Sequence, residues 1–139
     1  MSGRKMSTTN GIDLSPDWKT LYVGESATRE LWAYKLDGAK LVTRGLVTKF
    51  EDFDLDGLRT DIDGQIFVTR NGKGTVAVIS PDGTVKREIP LQGKEPTNLA
   101  FGGPDGKTVF VTQSDGGFIE AFRVERPGRE YCQMPDRSC

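Results

Sequence analysis

A chain of 139 residues with 19 basic and 20 acidic side chains carries a net charge of -1 and offers no long-range field to nucleic acid or an anionic membrane. Apolar residues plus Gly make up roughly 45% of it, which excludes disorder throughout and fits one modest domain. Histidine is absent, so Ser-His-Asp triads, Cys-His nucleophiles and His-based zinc sites are excluded. Chemistry must then rest on carboxylates, amides, Arg, Lys, or a hard metal held by oxygen.

At the start, Met1-Ser-Gly-Arg-Lys-Met6 leads into no apolar h-region, and no run reaches the roughly 18 apolar residues of a membrane span. The chain as written reads as soluble, with no membrane partner and the cytoplasm favoured. Arg4-Lys5 is too short for a nucleic-acid patch. Residues 1–9 read as a lead-in.

From there the expected elements are all strands. The first group falls at about residues 10–15, 20–25, 30–36 and 41–48, with Leu21-Tyr-Val23 and Leu31-Trp-Ala-Tyr34 as its β-branched and aromatic runs. A second group, about 53–94, contains Ile66-Phe-Val-Thr69 and Thr75-Val-Ala-Val-Ile79. A third, about 95–125, contains Val109-Phe-Val-Thr112 and Phe118-Ile-Glu-Ala-Phe122, with no evident fourth strand. Asp-Gly pairs at 37–38, 63–64, 82–83 and 105–106 suit type I′ hairpins. No window of 11 or more residues keeps a helical apolar period.

The groups are copies of one another. Asn10, Asp56 and Asn98 each stand seven residues before an Asp (Asp17, Asp63, Asp105) that leads into a strand ending in Val. Their spacings of 46 and 42 residues are those of blades or arrays. Each group reads as one antiparallel propeller blade, about 10–52, 53–94 and 95–125. Propellers close with 4 to 8 blades, so three make an incomplete ring.

Residues 126–139 read as a tail, poorly ordered as chain ends usually are. Its Cys132 and Cys139 read as inert or opportunistic thiols, because two Cys make neither a disulfide framework nor a metal motif.

At Asn10-Gly-Ile-Asp-Leu-Ser-Pro-Asp17, Leu31-Trp-Ala-Tyr34, Asp56-Gly57, Ser80-Pro-Asp-Gly83, Pro96-Thr-Asn98 and Phe101-Gly-Gly-Pro-Asp-Gly106 the chain resembles the senescence-marker-protein/regucalcin/gluconolactonase family. The resemblance covers about residues 10–124, in the order of that family's C-terminal half. It implies an all-β fold, with the three antiparallel blades as half of a six-bladed β-propeller. It also implies a divalent cation (Ca, Mg, Mn or Zn) on the axis and hydrolysis of sugar lactones once the propeller is complete. Asn10 matches the family's metal-binding Asn. Asp56 matches the Asp that binds metal and acts as general acid/base. A metal-binding Glu and most substrate contacts are expected outside this chain, in a missing propeller half or a second copy. Leu55 stands where the family commonly has Pro.

The residue chemistry points the same way. First strands of blades line the central channel, so Asn10, Asp56 and Asn98 would bring three oxygens and one charge to the axis. These suit Ca, Mg or Mn. Asn98 is a candidate substrate contact. The alternative function is a non-catalytic module that holds a structural cation and a ligand or protein partner.

A rival motif, Asp52-Phe-Asp54-Leu-Asp56-Gly57, opens like an EF-hand loop but leads into a strand. Arg59, Arg70 and Asn71 read as solvated surface or channel-mouth residues. Trp18 and Trp32 read as packing between blades.

Overall fold

The computed structural model describes residues 8–133 and Pro135. Eleven strands form three antiparallel sheets in chain order, followed by a short 3-10 turn. The first sheet contains β1 (Thr9–Leu14), β2 (Thr20–Glu25), β3 (Glu30–Asp37) and β4 (Lys40–Lys49). The second contains β5 (Leu58–Thr60), β6 (Ile66–Arg70), β7 (Thr75–Ile79) and β8 (Val85–Pro90). The third contains β9 (Pro96–Gly102), β10 (Thr108–Gln113) and β11 (Phe118–Arg123). No helix among the described residues is long and apolar enough to cross a membrane.

Strand periodicity explains the layering. In the second sheet, Ile66, Val68, Ala77 and Ile79 join Leu55 and Leu58 against Tyr22 and Leu31 of the first sheet. The alternate residues Phe67, Val76 and Val78 pack against Leu99, Val109 and Val111 of the third. Successive side chains point to opposite faces, so a sheet covered on both sides needs an unbroken apolar run. That is why Ile66–Phe67–Val68 and Val76–Ala77–Val78–Ile79 carry no polar alternation. Each such burial contributes about 1.5–3 kcal/mol. Phe67 and Phe101 add an edge-on ring contact at 5.1 Å. Leu55 is fully buried in the first of these cores, an aliphatic contact that Pro could not copy at full reach.

The first and third sheets each leave one face open. Across the first, the register aligns Ile12, Val23, Trp32 and Leu46 on the side opposite Tyr22 and Ala33. Across the third, it aligns Ala100, Phe110 and Ala121, then Asn98, Thr112 and Ile119.

The turns depart from expectation. A type I′ turn needs positive φ at both central residues. Only Trp18, Arg29 and Phe53 among the described non-Gly residues have it, so the Asp of each Asp-Gly pair stays outside that region. Instead carboxylates cap turns: Asp82 and Asp105 of these pairs, and Asp17 before Trp18, accept from the backbone N–H of Thr84, Lys107 and Lys19, each at 3.0 Å. Trp18 sits in the first of these turns, 58% exposed at φ 63°, and packs between no sheets. Trp32 lies on the open face of the first sheet, with the Arg44 guanidinium 4.0 Å above its ring.

The described tail residues are tied down by backbone hydrogen bonds, which a poorly ordered chain end lacks. Ile62 N–H donates to the Pro127 carbonyl, Arg129 N–H to Thr60, and Gly128 N–H to Gly106. Arg126 pairs with Asp63, and Arg129 pairs with Asp13 in a site where both side chains are nearly buried. Cys132 is disulfide-bonded and therefore no free thiol; Cys139 lies outside the described residues.

Candidate active site

The first strands of the three sheets lie side by side in the order β1, β5, β9. Two glycines allow that closeness. A Cβ at Gly11 would stand 2.3 Å from the Asp56 carbonyl oxygen, and one at Gly57 would stand 2.3 Å from Asn98 Oδ1. Neither clash can be relieved by a flexible side-chain end alone, because backbone atoms of Asp56 and Asn98 are also within 2.7 Å. The Asp56-Gly57 unit is pinned from the other side as well. Asp56 N–H donates to the Thr69 carbonyl, Thr69 N–H to Gly57, and Gly57 N–H to Thr97, all at 2.9 Å.

This packing brings Asn10 and Asp56 together. Asn10 Nδ2 donates to Asp56 Oδ1 at 2.5 Å. Asn10 is exposed and Asp56 half-buried. Burial raises the Asp56 carboxyl above its ordinary value; the Asn10 hydrogen bond opposes this, and the nearby Asp54 charge adds to it. A carboxylate poised this way is a better proton acceptor than an exposed one.

Asn98 stands beside the pair, against Gly57, but its Oδ1 accepts from the Leu99 N–H at 2.9 Å. In this structure it performs the strand-entry role open to any Asn. No group of three or more Cys, Asp or Glu stands together among the described residues in a metal-holding arrangement. The Asp56 carboxylate and the Asn10 amide are the two oxygen donors that this contact brings together. The EF-hand-like stretch has no helices at its flanks: residues 54–57 lack regular structure and β5 follows. Its Asp52 is engaged with Arg70.

Arg70 is neither solvated nor at a channel mouth. Its side chain is 0% exposed, paired with Asp52 at 3.0 Å and Glu88 at 3.1 Å, and stacked 3.7 Å from the Phe50 ring. Asn71 donates weakly to the Pro96 carbonyl at 3.4 Å. Sequence reasoning missed the Asp13–Arg129 pair, which spans 116 residues. The only signal was an Arg after Pro127-Gly128 in a segment otherwise read as tail.

With this geometry, residues 1–115 match the SMP-30/Gluconolactonase/LRE-like region. The chain belongs to that family. It is 32% identical over 119 residues to a diisopropyl-fluorophosphatase of Loligo vulgaris, covering 81% of this chain and 38% of that protein. It is 32% identical over 143 residues to a 6-deoxy-6-sulfogluconolactonase of Pseudomonas putida, covering 100% of this chain and 46% of that one. Among solved structures, a calcium-binding regucalcin from Agrobacterium tumefaciens superposes with a TM-score of 0.80 at 26% identity, over 88% of this chain and 48% of its own. The chain thus spans about half or less of the relatives it matches.

Proposed function

We propose that Asn10 and Asp56 form one side of a lactone-hydrolysing, divalent-metal-binding site, in a propeller of which these three sheets are half. The observation that carries this is the Asn10–Asp56 contact: it joins β1 to the segment that leads into β5 and involves a carboxyl raised by burial. Lactonase activity among relatives, such as the Pseudomonas putida sulfogluconolactonase, supports the substrate class. The coverage of 46% and 48% of two relatives supports the half-propeller reading. The remainder would come from a missing propeller half or a second copy of this chain.

The donor set fits a hard cation. Asn10 Oδ1 and the Asp56 carboxylate are oxygen ligands of the kind Ca, Mg and Mn take, and they would fill only part of the 6–8 positions around calcium. A bound divalent cation supplies positive charge to polarise an ester carbonyl and to acidify water. Asp56 accepts a proton from the attacking water as the new C–O bond forms. The ring C–O bond then breaks, and the ring oxygen takes up a proton to leave a hydroxy acid. Asn10 holds the Asp56 carboxylate in place through its amide. Asn98, beside Gly57, is placed to contact substrate if its side chain turns away from Leu99.

The second reading, a cation-holding module without turnover, is favoured by the calcium-binding description of the Agrobacterium tumefaciens protein. One experiment separates the two. Hydrolysis of an aldonolactone panel with Ca²⁺, Mn²⁺ or Zn²⁺ is measured for the complete assembly and for Asp56→Asn, which keeps side-chain volume. Loss of turnover with retained fold is expected. Metal binding without hydrolysis in the unaltered protein selects the second reading, and near-normal turnover in Asp56→Asn sinks the role of Asp56.

A further inference from the structure

The inner strands carry a second set of residues, each about three positions beyond the first. Asn10, Asp56 and Asn98 are followed by Asp13, Arg59 and Phe101, on the order of 10 Å further along extended chain. These second residues line a cavity of about 320 Å³, closed on one side by the tail at Gly128, Arg129, Glu130 and Tyr131. Its size is that of a small-molecule pocket.

The charges in it are unequally used. Arg129 is held by two carboxylates, Asp13 at 2.8 Å and Glu130 at 3.1 Å. Arg59 has no carboxylate partner among the described residues: its guanidinium makes one hydrogen bond, from Nη1 to the carbonyl of neighbouring Leu58 at 2.7 Å. Four of its five N–H donors are left for a ligand. Ala100, Phe101 and Tyr131 add apolar surface to the lining. A half-buried guanidinium that offers a free planar fork beside aromatic surface is suited to a carboxylate on a small organic body.

We propose that this cavity is a binding site for a small organic carboxylate, with Arg59 as the residue that engages the anion. The site is separate from the Asn10–Asp56 pair and does not depend on the lactonase reading. The tail completes it, because Arg129 docks on Asp13 and so brings Tyr131 into the lining.

The test is calorimetric titration of the full chain with sodium gluconate. Sorbitol serves as the uncharged control, and inorganic phosphate as the anion without an organic body. Gluconate binding is expected, with phosphate weaker and sorbitol undetectable. Arg59→Ala is expected to weaken gluconate at least about tenfold, the scale of a lost charge-assisted hydrogen bond. Arg59→Lys keeps the charge without the fork, so it should also weaken binding, and it serves if the alanine variant does not fold. Gly45→Ala, where nothing lies within 4 Å of the added Cβ, should bind as the unaltered chain does. Absence of gluconate binding, equal binding by sorbitol, phosphate binding as tightly as gluconate, or unchanged affinity in a folded Arg59 variant each overturns the proposal. Loss of binding in Asp56→Asn together with unchanged affinity in both Arg59 variants places the ligand at the other site and overturns it as well. Failure of lactone hydrolysis alone leaves it standing.

Discussion

Asn10 and Asp56 stand 46 residues apart in the chain and 2.5 Å apart in space, because Gly11 lets β1 lie directly on the Asp56 backbone. The contact depends on missing side chains as much as on those present. Gly57 does the same for β5 and β9 against Asn98.

Gly57→Ala is therefore expected to separate the second and third sheets at the site. A Cβ 2.7 Å from the Asn98 Cα requires backbone movement, at a cost of about 1–3 kcal/mol. Gly45→Ala is the control, since nothing lies within 4 Å of its Cβ position and its φ is ordinary. Urea midpoints should fall for the first and hold or rise slightly for the second. Equal midpoints for the two variants would mean that the close approach carries no strain.

Arg70 is expected to be the most costly single charge to remove. It is fully buried, donates to Asp52 and Glu88, and reaches the Asp52 and Phe53 carbonyls. Arg70→Ala leaves those acceptors unpaired, although Lys73 still holds Glu88. A loss of about 3–5 kcal/mol is expected by chemical denaturation. Arg70→Lys should recover little of it, because an ammonium cannot reach several acceptors in the geometry of a planar fork. A loss under about 1 kcal/mol would place Arg70 among ordinary surface ion pairs.

The strands were legible because alternation and β-branched runs act locally, and the repeat register located Asn10, Asp56 and Asn98 before any contact was known. The recurring second carboxylates Asp17 and Asp105 are turn caps; the Asp-Gly pattern marked a turn at Asp105, though not its type, and did not mark one at Asp17. What escaped is long-range. Arg70 reads as polar until Phe50, Asp52 and Glu88 close around it from both sides in sequence. Arg129 reads as tail until Asp13 holds it from the first strand. Pairings over 18 and 116 residues leave no local period to detect.

Asp61 gives a pH signature. Its carboxyl is buried and raised above the ordinary 3.8 by desolvation, despite two backbone N–H groups donating to Oδ1 from Asp63 and Gln65. A folded-state value above the unfolded one means that the charged form opposes folding. That penalty is complete above the raised value and vanishes as pH falls below the unfolded value. Asp61→Asn keeps an oxygen for both N–H groups and removes the charge. The variant should gain stability relative to the unaltered chain near about pH 7, and the gain should disappear near about pH 3. Taking the difference between the two proteins cancels Asp82, whose carboxyl the Ser80 hydroxyl holds at about 2. A gain that grows towards acid would reverse the sign and refute the assignment.

The open faces set the state of the chain in solution. Ile119 is 68% exposed and lies with Phe110 on the uncovered side of the third sheet, whose edge strand β11 has no fourth strand beside it among the described residues. Ile12 and Leu46 stand exposed on the uncovered side of the first. In repeat architectures each unit is stabilised by its neighbours, and an uncapped end leaves that stabilisation unrealised. The isolated chain is expected to self-associate, with light scattering showing a mass that rises with concentration. Ile119→Lys should shift that association to about tenfold higher concentration, since burying one Ile contributes about 1.5–3 kcal/mol and a charge on an edge strand opposes pairing. A monodisperse monomer that melts cooperatively at micromolar concentration would show that two inter-sheet cores suffice without further neighbours, and the half-propeller reading would lose its main physical argument.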